Sequence, residues 1–378
     1  MDKKEKKIRK KSRATLEDPE SLASPSTDTP SKRSKNVAKS SKKKPKRTKS
    51  SDRIEEAATT NAKPNGQEQE KIPRPPSRMR MRTVAVALPG SILDNAQTPE
   101  LRTYLAGQVA RAMAIFNVDE VIVFDDGTVP VASSSRRQAS TCNLMARILQ
   151  YLETPQYLRK PFFPKHPDLQ YAGLLNPLDA PHHVRANDCV SFREGIVINH
   201  PTKPHKGSYV DCGLQKEVQI DRKLEPGTRV TVRMGEEKKR AYVGKAVSPH
   251  TPKTEGGLYW GYSVRVADSL GRVFSECPHV DGYDVTIGTS ERGSDVNLLT
   301  SLDDSTCHVL IVFGGVKGIE AALENDESLR VSDARHLFDY WVNTCPNQGS
   351  RTIRTEEALL VSLAAFRRFL DRDVSLNA

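Results

Sequence analysis

Three short polar strings in the second half of the chain are the ones whose residue types and spacing could do chemistry. They are Gly288-Thr289-Ser290-Glu291-Arg292-Gly293, then Phe313-Gly314-Gly315, then the long run from Asn343 to Arg354 (NTCPNQGSRTIR). Each follows an apolar run of strand type: YDVTIGTS (283 to 290), HVLIVFGG (308 to 315) and LFDYWVNT (337 to 344). In an open α/β sheet, ligands bind beyond the carboxyl ends of strands, where loops converge and backbone N–H groups face a crevice. Glycine at such ends lets the backbone approach a ligand closely. None of the three strings contains GxGxxG or a P-loop, so ordinary dinucleotide and nucleoside triphosphate fingerprints are absent.

The elements that must position these strings form an alternating pattern. TVAVALPGSIL (83 to 93) reads as a buried strand ending in a loop. Pro99-Glu100 opens a stretch with apolar residues at helical spacing, from Leu101 to Phe116. VIVF (121 to 124) ends in Asp125-Asp126-Gly127, and after a polar loop a helical pattern covers 142 to 152. Strand, helix, strand, helix predicts an α/β sheet of mainly parallel strands. Prolines at 155, 161, 164, 167, 177 and 181 then argue against a long helix. From Phe192, EGIVI (194 to 198), GSYVDCGL (207 to 214), KEVQI (216 to 220) and TRVTVRM (228 to 234) are short β-like runs, the last behind the turn Glu225-Pro226-Gly227. They predict a small antiparallel barrel of OB type inserted in the α/β domain. LYWGYSVRVA (258 to 267) returns to strand character, and EEALLVSLAAFRRFL (356 to 370) is a closing amphipathic helix.

Charge separates a tail from this folded part. Of 58 Lys+Arg and 47 Asp+Glu, residues 1 to 82 hold 25 and 11, a net of +14, which leaves 33 and 36, or −3, for the rest. All 22 aromatic residues lie beyond the tail, the first being Tyr104. Without large apolar groups the tail cannot offset its ordering entropy, so it is expected to be disordered. The cluster Lys42-Lys43-Lys44-Pro45-Lys46-Arg47 reads as a nuclear import address, a polyanion contact or a solubilising run. A second cluster, Arg74 to Arg82, could lie across an RNA-binding face. A uniformly basic, histone-like chain is excluded. No apolar run of about 18 residues exists, and MDKKEKKIRKK lacks a signal-peptide core, which predicts a soluble intracellular protein. The cysteines at 142, 189, 212, 277, 307 and 345 form no CxxC pair and predict reduced, structural thiols.

The strings YDVTIGTSERGSDV, VLIVFGGVKGIE and VNTCPNQGSRTIRTEEALLVSLAAF, in that order, resemble the SPOUT superfamily of knotted methyltransferases. The likeness is to its RNA methyltransferase family with members at the vertebrate spindle and kinetochore, and it spans about Arg82 to Leu370. It implies an α/β SPOUT domain with a trefoil knot near the C-terminus, over 82–160 and 246–378, carrying an OB-like barrel over 161–245 behind a tail of 1–81. It implies a homodimer packed through the knot, S-adenosylmethionine as cofactor and RNA as substrate, with ribosomal RNA and uridine N3 as the expected target. It also implies a nuclear or nucleolar location, with spindle, centrosome or kinetochore association in mitosis. A non-catalytic RNA-binding protein of the spindle that keeps the pocket only as a fold element is the rival reading.

Carried over by position, Gly314 and Gly315 line the cofactor, and Asn343, Thr344, Cys345, Asn347 and Gln348 form the adenine loop. Thr352 and Ile353 lie where the last knot loop meets the final helix, Thr289 is a further cofactor-binding residue, and Arg292 stands near the methionine end or the RNA on the partner subunit. For a uracil acceptor, a carboxylate or a cation beside the ring would favour loss of the N3 proton. Arg292, Arg354 and Glu291 are the candidates for that role. Arg354 could instead serve a salt bridge, and Thr355 with Glu356 and Glu357 reads as the cap and acidic first turn of the last helix. Cys345 has no companion His in its motif and is not read as a nucleophile.

No metal site is expected: His182, His183, His200 and His205 stand among prolines without cysteine partners and read as surface histidines. Tyr259, Trp260 and Tyr262 read as packing residues rather than a base-stacking platform. For RNA capture the inserted barrel offers Arg193, Lys203, His205, Lys206, Lys216, Arg222 and Lys223.

Overall fold

The computed structural model describes residues 82–370 except 129–130, 203–205, 238–240, 301 and 304. The cluster at 42–47, residues 74–81 of the second cluster, Lys203 and His205 therefore lie outside the described residues.

β1 (Thr83–Pro89) leads through a turn at Gly90–Asn95 into α1 (Pro99–Ile115), whose start is fixed by Pro99 and by the Thr98 hydroxyl accepting from the Leu101 N–H. β2 (Glu120–Phe124) precedes α2 (Val131–Glu153) and the short α3 (Gln156–Phe162). α2 begins eleven residues before the apolar pattern at 142, because 131–141 (VASSSRRQAST) carries no apolar stripe, yet a helix propagates through such residues once nucleated. Through the proline-rich stretch, α3 and two single 3-10 turns are the helical pieces.

The inserted barrel consists of β3 (Phe192–Val197), β4 (Tyr209–Asp211), β5 (Val218–Gln219), β6 (Arg229–Glu237) and β7 (Tyr242–Val247), closed in the order β3-β4-β5-β7-β6. Its core is Val197, Val210, Cys212, Val218, Val230 and Val232. Gly195 and Gly244 let the strands close tightly, since a Cβ at either would fall within 2.4 Å of a core valine.

Beyond α4 (Thr251–Gly256) the sheet resumes with β8 (Ser263–Ala267), α5 (Leu270–Ser275), β9 (Val285–Asp295), β10 (His308–Val312), α6 (Gly318–Glu324), β11 (Tyr340–Asn343) and α7 (Thr355–Leu370). β8 is five residues shorter than the apolar run suggested. Tyr259 and Trp260 precede it and bond instead to the Val118 carbonyl and the Glu194 carboxylate, while Tyr262 is buried, so all three pack as expected.

The six-stranded sheet has the order β11-β9-β10-β1-β2-β8, with every neighbouring pair parallel. One face buries Val84, Val86 and Ile311 under α1, α2 and α7; the other buries Ala85, Ala87, Leu310 and Val312 under α5 and α6. Strands buried on both faces read as continuous apolar runs. The β9–β10 crossover contributes Val296 and Leu302 to the α7 face, and Arg368 of α7 donates to the Val296 carbonyl at 3.1 Å. Arg82, 3% exposed, ties these parts together: its guanidinium donates to the carbonyls of Thr306 (3.1 Å), Asp303 (2.8 Å) and Phe369 (2.8 Å).

Candidate active site at the carboxyl edge of the sheet

Because the sheet is wholly parallel, the carboxyl ends of β1, β2, β9, β10 and β11 share one edge. The chain leaves β1 toward α1 on one face and β10 toward α6 on the other, so the edge has its switch point between these neighbours.

The string expected as the first loop is strand. β9 runs through it to Asp295, and its pairing with β11 jumps from Gly288 opposite Trp341 to Ser294 opposite Val342. Thr289 to Gly293 are thus a bulge, a device that re-aims side chains at a sheet edge. Thr289 turns its hydroxyl inward to the Val312 carbonyl (3.0 Å), whereas Glu291 and Arg292 are exposed. Gly293 permits the bulge to close on β11: a Cβ there would sit 2.4 Å from the Val342 carbonyl carbon and 2.6 Å from the Asn343 nitrogen.

Asn343 links this bulge to the following loop. Its Nδ2 donates to the Glu291 carbonyl (2.9 Å), and its Oδ1 accepts from the Cys345 N–H (3.0 Å). Thr344 shares a hydrogen bond with Ser362 of α7 (2.7 Å). Asn347 holds φ of 60°, a conformation Asn tolerates better than most residues. Gln348 donates to the Ser350 carbonyl and Ser350 to that of Thr352. Among the described residues, no backbone–backbone hydrogen bond involves 344–353. Apart from the Cys345 N–H and the Ser350 and Thr352 carbonyls, which side chains engage, the N–H and C=O groups of this loop, beside the half-buried Pro346 and Ile353, form a donor and acceptor set suited to an adenine.

At Gly314 the backbone runs against the start of α6, where a Cβ would meet the Gly318 carbonyl carbon at 2.6 Å. The Thr355 hydroxyl donates to the Gly314 carbonyl (3.0 Å). That bond corrects the expected cap: the α7 start is instead capped by Glu357, whose carboxylate accepts from the Arg354 N–H (2.9 Å). Glu357 is thus structural. The Arg354 side chain is exposed and forms no ion pair among the described residues. The structure brings Thr289, Arg292, Gly314, Gly315, Asn343, Thr344, Cys345, Asn347 and Gln348 to one edge, while Thr352, Ile353 and Arg354 join it through α7.

Two residues of this edge were missed by motif reading. Beside Gly315 stand the Asp126 carboxylate and the Ser91 hydroxyl, at 3.1 and 3.4 Å from where its Cβ would be. The string Asp125-Asp126-Gly127 directly after a buried strand was the available signal. Cys142 lies below them on α2, and burial together with the charges of Asp125 and Asp126 pushes its thiol up to about 12, so it stays protonated.

Elsewhere, two expectations fail. His182 is fully buried and His183 partly so; both donate from Nε2 to the Glu153 carbonyl (2.8 and 2.7 Å), so neither is a surface residue. Arg193, 1% exposed, donates to the carbonyls of Asp188 and Arg185 ahead of β3 and lies over the Tyr157 ring of α3, which removes it from any RNA surface. The short β-like run EGIVI that pointed to β3 begins after Arg193 and could not say where that side chain turns. Lys216 pairs with Glu237 (2.6 Å), whereas Lys206, Arg222 and Lys223 are exposed. Among the described residues no group of three His, Cys, Asp or Glu could hold a metal ion, and no helix is long and apolar enough to cross a membrane.

A family model described as "Putative RNA methyltransferase" matches residues 83–366. The 28S rRNA (uridine-N(3))-methyltransferase of Homo sapiens is 56% identical over 310 residues, covering 80% of this chain and 82% of that protein. The Mus musculus protein of the same name is 58% identical over 294 residues, covering 75% and 76%. The Drosophila melanogaster one is 50% identical over 308 residues, covering 78% and 63%.

Proposed function

The chain belongs to this RNA methyltransferase family, a branch of the SPOUT superfamily, and we propose that it methylates N3 of a uridine in ribosomal RNA. The observation that carries the reading is the 56% identity, over 80% of this chain, to a protein named for that reaction. The edge geometry supports it independently, since the three strings meet where a parallel sheet places its ligands.

S-adenosylmethionine supplies, when bound, a methyl group on a sulfonium. The backbone of 343–353 is suited to the adenine, and Gly314, Gly315 and Thr289 to the remainder of the molecule. Arg292 and Arg354 are exposed cations available to the RNA backbone or to an anionic uracil, with Glu291 next to Arg292 in the chain. Lys206, Arg222 and Lys223 give the barrel a basic surface for flanking nucleotides.

A homodimer is supported by exposed apolar side chains on two neighbouring helices, Leu101 and Tyr104 on α1 with Leu360 and Val361 on α7. Nuclear or nucleolar location rests on the cluster at 42–47.

Two measurements test the proposal. Calorimetric titration with S-adenosylmethionine should show binding; no heat at about millimolar cofactor, the limit of roughly 4 kcal/mol, would contradict it. Mass spectrometry of ribosomal RNA from cells with and without the protein should show a 3-methyluridine that disappears with the protein.

A further inference from the structure

Ser91 and Asp126 reach the switch-point crevice from two different strands. Ser91 follows β1 within a 3-10 turn and is half-buried; Asp126 follows β2 and is 4% exposed. The Ser91 hydroxyl donates to Asp126 Oδ2 at 2.5 Å. The other carboxylate oxygen, Oδ1, accepts from the Thr128 hydroxyl (3.0 Å), and the Asp126 carbonyl accepts from the Asn325 amide (3.0 Å). The carboxylate is held on both sides, and Ser91, half-buried where Asp126 is 4% exposed, is the more open of the two. The turn carrying Ser91 is itself seated tightly, because a Cβ on Gly90 would lie 2.4 Å from Cys142 Sγ. Gly315 completes the arrangement: its Cα faces Asp126 Oδ2 and Ser91 Oγ across a gap that a single methyl would fill.

A uridine loses its N3 proton when N3 is methylated, so the site must supply a base near the methyl donor. The exposed candidates Glu291, Arg292 and Arg354 include one carboxylate, on the rim and in water. Resting on the uridine reading above, we propose that Ser91 and Asp126 are the proton-accepting pair of the reaction. The N3–H bond breaks as its proton passes to Ser91 Oγ, and the Ser91 hydroxyl proton moves along the existing bond to Asp126 Oδ2. The N3 electron pair forms the new N–CH3 bond, and the pair of the broken methyl–sulfur bond stays on the departing sulfur. Asp126 releases its proton to solvent after the product leaves. Ser91 is the catalytic residue, since it meets the base; Asp126 acts through it as a positioning residue and final acceptor. Among the described residues, the charged or titratable groups around the pair include Asp125 on its own loop, Asp94 later in the same turn as Ser91 and Cys142 from α2, whose thiol stays protonated.

The test uses the full chain and the variants Ser91→Ala, Asp126→Asn and Asp126→Glu. Cofactor affinity by calorimetry and affinity for an rRNA oligonucleotide by fluorescence anisotropy should stay near wild type in Ser91→Ala and Asp126→Asn. Single-turnover methylation should fall by about 100-fold or more in both, with Asp126→Glu partly restored. The rate of Asp126→Asn should climb about tenfold per pH unit on the alkaline side, because only uridine ionised in solution would react. Replacing the target uridine by 5-fluorouridine, whose N3 proton leaves more readily, should recover much of the lost rate in both variants. Wild-type rates in the variants, loss of cofactor affinity in Ser91→Ala, or no recovery with 5-fluorouridine would each overturn the pair. A wild-type protein that binds cofactor but makes no 3-methyluridine would instead refute the uridine reading.

Discussion

Asn343 at the end of β11 is bonded to the backbone of Glu291 in the β9 bulge, Nδ2 to carbonyl at 2.9 Å, and its other amide atom accepts from Cys345. One side chain thus sets the distance between the bulge and the loop offered to adenine. Asn343→Asp keeps the acceptor for Cys345 but turns an oxygen toward the Glu291 carbonyl. The lost bond should cost about 1–3 kcal/mol, roughly 5- to 150-fold if it falls on cofactor affinity. Unchanged calorimetric affinity would show that the two segments do not share a site.

Gly293→Ala probes the same junction from the backbone. Its Cβ would collide with Val342 and Asn343 main-chain atoms, which cannot swing aside as a side chain can. We expect a stability loss of about 1–3 kcal/mol by urea unfolding, with weakened cofactor binding. Full retention of both would mean that β9 and β11 separate freely here.

Arg82→Ala should destabilise the fold by about 3 kcal/mol, because three carbonyls from the crossover and from α7 lose a charged, buried donor. The melting temperature should drop by several degrees. Arg82→Lys, which cannot span three acceptors with a planar fork, should recover only part of it.

Glu153 carries a pH dependence of known sign. Burial pushes its carboxyl up, but hydrogen bonds from His182 and from Arg229, at 2.7 Å, outweigh burial and hold it down at about 2, against an ordinary value of 4.5. The depressed carboxyl stabilises the fold fully above pH 4.5, and the stabilisation fades as pH falls toward 2. Glu153→Gln should cost about 2 kcal/mol at neutral pH, less than a fully buried pair, because the Arg229 side chain is 33% exposed. The difference from wild type should shrink below pH 4.5; a constant difference in denaturant unfolding would refute this account.

Deleting residues 1–72 removes most of the +14 charge of the first 82 residues. The salt dependence of RNA binding should become shallower and the nuclear signal should disperse, with cofactor affinity unchanged. Loss of cofactor binding on deletion would contradict the division between tail and folded part.

The apolar runs at 83–93, 121–124 and 308–315 were legible as strand-bearing because parallel strands buried on both faces need no alternation; β1 and β10 end at Pro89 and Val312, before the ends of the first and last runs. Four of the five barrel strands were legible from short runs between turns; β7 (Tyr242–Val247) was not among those runs. The first half of α2 was not, since VASSSRRQAST has no stripe to read, nor was the bulge at Thr289 to Gly293, which polar loop residues cannot be told from. His182 and Arg193 misled for one reason: a polar side chain is expected in water unless partners are visible, and theirs are backbone carbonyls supplied by the fold.

By itself, the sequence determined the separation of a basic tail from a near-neutral folded part, the α/β alternation, the inserted barrel and the three strings at strand ends, because charge, periodicity and turn residues are local properties. Only the tertiary structure decided that the sheet is wholly parallel with its switch point between β1 and β10. Only it set Ser91 against Asp126, residues 35 apart, and Asn343 against Glu291, residues 52 apart. Side chains so distant along the chain meet through strand order and register, which depend on how the whole sheet buries its two faces.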